Sequence, residues 1–294
     1  MQHLQIDHVT EYVFDAPRVL LPHRLRIRPR ENHNVRILSS RLDVSPRATV
    51  RWQRDALDNS VAVLTFGGGT NRLRVQSSVV IAHYHEAPLD FVVEDYAVSW
   101  PFNYPDTDAA LLSPFLVPTW PADAEPLRDW LAADGLSTQP VECFTLLDGI
   151  NRNIHRSFTY QGREEEGVQA PGETLRLRRG SCRDFAALFM DTVRHLGLAA
   201  RFVSGYLHTP ELAAVDPGAT HAWAEVYIPG PSWVGFDPTV GTLTGLDHIA
   251  IAVAGHPEHV PPVAGSFIAN PGHVTTMQVD VRVTEVARGQ EAIR

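Results

Sequence analysis

The stretch Arg179-Gly180-Ser181-Cys182-Arg183-Asp184-Phe185-Ala186-Ala187-Leu188-Phe189-Met190-Asp191-Thr192-Val193-Arg194-His195-Leu196-Gly197 decides how the rest of the chain is read. Phe185, Leu188, Phe189, Thr192, Val193 and Leu196 recur at three to four residues, which predicts a helix with one buried face. Ser181 is placed to cap it, Asp184 completes the S-x-x-D box, and Gly197 is placed to stop it. Cys182 therefore falls in the first turn, at the polar start of the helix rather than mid-face, where a structural cysteine belongs. Backbone N–H groups and the macrodipole favour an anion there, so the thiolate gains stability relative to a free thiol of pKa ~8.5. Arg178, Arg179 and Arg183 add positive charge nearby. The same helix end offers the Cys182 N–H to the oxygen of an attacked carbonyl. Gly180 would let a substrate approach the backbone closely.

Strands follow the helix. Leu198 to Leu207 is apolar and β-prone, and Ala222, Ala224, Val226 and Ile228 alternate with His221, Trp223, Glu225 and Tyr227. Pro229-Gly230-Pro231-Ser232 turns the chain and Trp233 to Phe236 returns. If Ile228 opposes Ser232, Asp237 opposes Trp223, and His221 becomes its diagonal neighbour on the same face. A slip of one residue would put the two on opposite faces. In the favourable register a thiol, an imidazole and a carboxylate can serve as nucleophile, base and orienter for covalent acyl transfer.

The 294 residues, 44% of them apolar, can bury a substantial core, and the net charge of -9 argues against nucleic acid or an anionic membrane as an obligatory partner. No segment reaches the roughly 20 apolar residues that span a bilayer. No secretory signal is visible in Met1-Gln2-His3-Leu4-Gln5-Ile6-Asp7. Two cysteines do not make a disulfide framework, so a reduced, cytoplasmic protein is the expectation. Cys143, beside the predicted helical face Phe144, Leu147, Ile150 and Ile154, reads as a small core hydrophobe.

Four regions are expected: a β-rich domain over 1–85, an ordered connection rich in proline and aromatics over 86–121, a catalytic core over 122–257, and a segment over 258–294 containing one strand. Leu4 to Val9 and Leu25 to Arg28 alternate as half-buried strands, and Val61 to Phe66 reads as a buried one. Gly67-Gly68-Gly69 lacks both phosphate-loop spacings and reads as a hairpin turn into Leu73-Arg74-Val75-Gln76. Met277 to Val283 alternates cleanly, but pattern does not say which sheet it closes. The order of strands, helices and strands makes the chain α+β.

Gly180-Ser181-Cys182-Arg183-Asp184-Phe185-Ala186, His221-Ala222-Trp223-Ala224-Glu225-Val226-Tyr227 and Gly235-Phe236-Asp237-Pro238-Thr239 resemble the three core motifs of the bacterial transglutaminase-like superfamily. Glu173-Thr174-Leu175, the run Arg194 to Tyr206 and the β-rich N-terminal region fit the same resemblance, which covers nearly the whole chain. It implies a papain-like core in which a nucleophile helix packs on an antiparallel sheet. Cys182 would take the nucleophile role, His221 the base role and Asp237 the orienting role. The implied activity is cysteine-dependent acyl transfer on a carboxamide or peptide carbonyl through a thioester, such as glutamine amide transfer or hydrolysis. A cysteine protease or amidase is the close alternative, and a non-enzymatic binding scaffold the remote one. The implied partners are a peptide or protein substrate and a primary-amine acceptor, with no cofactor and no metal.

Other residues carry a bland reading beside a sharp one. Trp223 and Trp233 could line a substrate groove, but packing on the sheet is favoured. Tyr160 could supply a second oxyanion donor, against ordinary packing. Asp184 reads as a capping carboxylate, and Glu164-Glu165-Glu166 as a solvated loop. The pairs His83/His85 and His256/His259 lack the further ligands a zinc site needs, and no calcium-loop pattern is present.

Overall fold

The computed structural model describes residues 1–84, 89–136, 140–163, 165–208, 220–268 and 274–287. The N-terminal alternation becomes six strands: β1 (Gln2–Leu20), β2 (His23–Leu25), β3 (Val35–Ser45), β4 (Ala48–Arg54), β5 (Ser60–Phe66) and β6 (Gly69–His83). They form two sheets, β1–β6–β3 and β2–β5–β4. Phe14, Leu20, Leu25, Leu64, Leu73 and Val75 close a core between them. The triple glycine does turn the chain, with Gly68 at φ +110°, but it does not make the expected hairpin. β5 is already paired on both edges, by β2 and β4, so β6 has no free edge there and crosses to the other sheet, between β1 and β3.

The connection over 86–121 contains a helix that its prolines concealed, α1 (Asp106–Leu116), with Pro114 inside it. Proline lacks the N–H that would bond the carbonyl four residues back. Ser113 Oγ donates to that carbonyl, Ala110 O, at 3.1 Å. The connection is anchored elsewhere by its aromatics: Trp100 Nε1 donates to Leu196 O at 2.9 Å, and Tyr104 Oη to Tyr227 O at 2.8 Å.

The core comprises α2 (Ala124–Ala133), α3 (Cys143–Ser157), α4 (Pro171–Leu177) and α5 (Cys182–His195), followed by β7 (Ala200–Leu207), β8 (His221–Ile228), β9 (Ser232–Asp237), β10 (Thr242–Leu243) and β11 (His248–Ala254). The sheet is antiparallel in the order β10-β9-β8-β7-β11. Among the described residues no helix is long and apolar enough to cross a membrane. The helical period of α5 is its packing: Phe185, Leu188 and Phe189 join Ala222, Ala224, Val226 and Phe236 in one apolar core. The alanines leave room for the helix, and Phe189 stacks on Phe236 at 5.3 Å. Cys143 is 2% exposed in this core.

The opposite face of the sheet is covered by the N-terminal half. Tyr206, Ile249 and Ile251 meet Leu4, Ile6, Val79 and Ile81. Asn59 caps the outer edge of β11, giving to Val253 O and taking from Val253 N–H, both at 2.8 Å. The C-terminal strand, β12 (Thr275–Glu285), returns to the N-terminal sheet and pairs with β1 from Leu4 to Phe14.

Candidate active site

Helix α5 begins at Cys182, as its capping residues predict, with Ser181 extended at φ -85°, ψ 175°. Asp184 reaches back to take the Ser181 N–H and hydroxyl, both at 2.8 Å. Its other oxygen takes the Gln169 N–H at 2.8 Å and Arg163 Nη1 at 3.0 Å. Asp184 is fully buried, so it does more than cap: it ties the helix start to the 161–169 loop. Gly180 serves this contact rather than substrate approach alone, because a Cβ there would meet Asp184 Cβ at 2.8 Å. Arg183 is spent on the same loop, donating to the carbonyls of Arg163 and Glu165. Arg178 lies over the Phe158 ring at 5.0 Å.

Strands β8 and β9 pair in the expected register, Ile228 with Ser232 and Ala224 with Phe236. That register places His221 and Asp237 together: Nε2 lies 2.6 Å from Oδ2. The Cys182 side chain acts on the same ring and helps to raise its pKa. Since Nε2 is taken by Asp237, Nδ1 is the nitrogen left for the thiol. Asp237 Oδ1 takes the Thr239 N–H at 2.8 Å.

The electrostatics follow from burial and contact. Burial works against charge on His221, but the Asp237 carboxylate outweighs it through charge and hydrogen bond, with Cys182 adding to the effect, and the imidazole pKa rises well above its usual range. Burial likewise opposes ionisation of Asp237, and the two histidines beside it overcome this and hold the carboxyl well below the usual range. Burial pushes the Cys143 thiol up to about 12, as suits an inert core residue.

Cys182 and His221 open into a cleft of about 1000 Å³. One wall is formed by Tyr160, Gly162, Arg163 and Glu166 to Val168, the other by Pro257, Glu258 and Val260 to Pro262, and Phe202, Ser204 and Ala222 lie between. Tyr160 is therefore at the cleft, on the strand residue paired with Gly180. Trp223 is not. It is 2% exposed and lines a separate cavity of about 600 Å³ behind the sheet. Trp233 lines the same rear cavity and carries Arg201 over its ring at 4.1 Å.

Sequence reasoning missed His248. It follows Asp237 by one short strand and a turn, and its Nε2 lies 2.9 Å from Asp237 Oδ2. No spacing marks it: it is the first residue of an apolar β run. His221, Asp237 and His248 also bring three ligand-type atoms within 4.8 Å of one another, but these atoms already satisfy one another by hydrogen bonds. His83 donates to Leu246 O at 2.7 Å, His85 lies outside the described residues, and His256 and His259 pack ring to ring at 5.2 Å.

A cysteine at a helix start, facing a His–Asp pair carried on an antiparallel sheet, is the architecture of cysteine-dependent peptidases and acyltransferases. The chain belongs to the transglutaminase-like superfamily. Residues 4–82 match the bacterial transglutaminase-like N-terminal region and residues 137–238 the transglutaminase-like superfamily core. An uncharacterised protein of Mycobacterium tuberculosis is 27% identical, over 94% of this chain and 91% of its own length. One from Mycobacterium leprae is 25% identical over 98% and 100%. The fold matches that of a candidate cysteine protease from Cytophaga hutchinsonii at TM-score 0.74, 19% identity, covering 98% of this chain and 91% of that one.

Proposed function

We propose that the protein is a cysteine-dependent acyl-transfer enzyme acting on carboxamide or peptide carbonyls. The observation that carries this reading is the His221–Asp237 hydrogen bond with Cys182 beside His221 in one cleft, the thiol end at the cleft and the carboxylate end buried. Cys182 Sγ attacks the carbonyl carbon, and the developing oxyanion meets the Cys182 N–H at the start of α5, a first-turn donor that an α-helix leaves without an intrahelical acceptor. His221 delivers the thiol's proton to the leaving nitrogen as the C–N bond breaks, leaving a thioester and a free amine or ammonia. Water then yields a carboxylic acid, or a primary amine yields a new amide, and either restores the thiol. Asp237 holds the His221 ring in the tautomer with Nε2 protonated.

The volume of the cleft, about 1000 Å³, supports a peptide or protein donor. The test is incubation with glutamine peptides, with and without a labelled primary amine, comparing wild type with Cys182→Ala. Label incorporation identifies transfer, ammonia or peptide cleavage alone identifies hydrolysis, and both disappear in the variant. Turnover that survives Cys182→Ala would overturn the reading.

A further inference from the structure

We propose that His248 is a positioning residue for Asp237, held in place by the N-terminal half of the chain; this rests on the reading of Cys182 and His221 as nucleophile and base. Gly245 N–H donates to His248 Nδ1 at 3.3 Å. A nitrogen that accepts from a backbone amide carries no proton, so His248 has its proton on Nε2, the atom 2.9 Å from Asp237 Oδ2. Asp237 Oδ2 thus receives two N–H donors, from His221 and from His248, while Oδ1 receives the Thr239 amide. With these three donors around a fully buried carboxylate, Asp237 acts as an acceptor only. His221 must then be the donor in their contact, and its Nδ1 stays turned to the thiol.

His248 does not touch the Cys182 cleft. It lines the rear cavity and packs edge-on against Trp223 at 5.3 Å, with an interplanar angle of 82°. Its loop is pinned from the other half of the molecule: His83, at the end of β6, donates to Leu246 O at 2.7 Å. Arg30 N–H donates to Ala250 O at 2.8 Å, two residues beyond His248. The N-terminal half therefore sets the placement of His248, and His248 sets the carboxylate.

The test is the rate of Cys182 alkylation by iodoacetamide near neutral pH, read by mass mapping of the labelled peptide, which needs no knowledge of the natural substrate. Wild type is compared with His221→Ala, His248→Leu, His248→Asn and His248→Gln, with circular dichroism confirming the fold of each. The Gln amide can present an N–H where Nε2 stood, whereas the Asn amide stops near the Nδ1 position. Loss of one hydrogen bond to a buried charged group predicts labelling roughly tenfold or more slower in the Leu and Asn variants, and within about threefold of wild type for Gln. His83→Ala, which leaves His248 itself intact, is expected to slow labelling by about threefold through the loosened loop. Wild-type labelling in His248→Leu or His248→Asn overturns the proposal, and so does an equal loss in His248→Gln. If wild type labels no faster than His221→Ala, the nucleophile reading itself fails and the proposal with it.

Discussion

Acid should weaken the junction between the two halves of the molecule through one buried histidine. His8 on β1 is 1% exposed, with Nδ1 2.8 Å from the Tyr206 hydroxyl on β7 and Nε2 2.8 Å from Thr10 Oγ1. The Tyr206 hydroxyl donates to Ile27 O at 3.2 Å. It therefore accepts from His8 Nδ1–H, and His8 Nε2 accepts from Thr10. The neutral ring is satisfied on both sides, and burial lowers its pKa from 6.5 to about 4. Between those two values the unfolded chain binds a proton that the folded chain refuses, so stability falls as pH drops through this window. One pKa unit is worth about 1.36 kcal/mol, and integrating from about pH 7.5 to about pH 4.5 gives a loss of roughly 2.5 kcal/mol from this residue. The assay is urea unfolding followed by tryptophan fluorescence at both pH values, for wild type and His8→Gln. Titration of distant groups cancels in the comparison, so wild type should lose roughly 2.5 kcal/mol more than the variant. Equal losses, within about 0.5 kcal/mol, would refute the argument.

Two further outcomes test the structure around the site. Gly205→Ala would place a methyl inside the Trp223 ring and against Ile249 O; overpacking of this kind costs about 1–3 kcal/mol, so denaturant melts should show that loss, and wild-type stability would contradict the packing described. Asp184→Ala leaves the Gln169 and Ser181 amides without their acceptor and Arg163 with Glu165 as its remaining carboxylate partner. The expected destabilisation is about 1–3 kcal/mol, as for buried donors left unsatisfied, with faster protease cutting around Arg163 and Gln169; an unchanged cleavage rate would show that Asp184 does not hold that segment.

Local pattern carried a long way in this chain. The start of α5 at Cys182 was legible because capping and first-turn chemistry involve neighbours a few residues apart. The short turn made one β8–β9 register natural without excluding a one-residue slip, and the structure has the natural one. Helix α1 was hidden by Pro114, whose missing donor is compensated by one hydroxyl, Ser113. The crossing at Gly67 to Gly69 was hidden for a different reason. A turn residue reports that the chain reverses, not whether the strand behind it still has a free edge.

The sequence by itself determined a cysteine at a helix start, a His and an Asp on paired strands, and the α+β class, because each depends on contacts between near neighbours. Only the tertiary structure decided what stands behind them. His248 approaches Asp237 from β11, beyond β7 in the sheet, on a loop fixed by His83. Trp223 turns to the rear cavity, and the last strand, β12, closes the first sheet against β1. Those placements depend on how whole layers stack, and no local periodicity encodes the far side of a sheet.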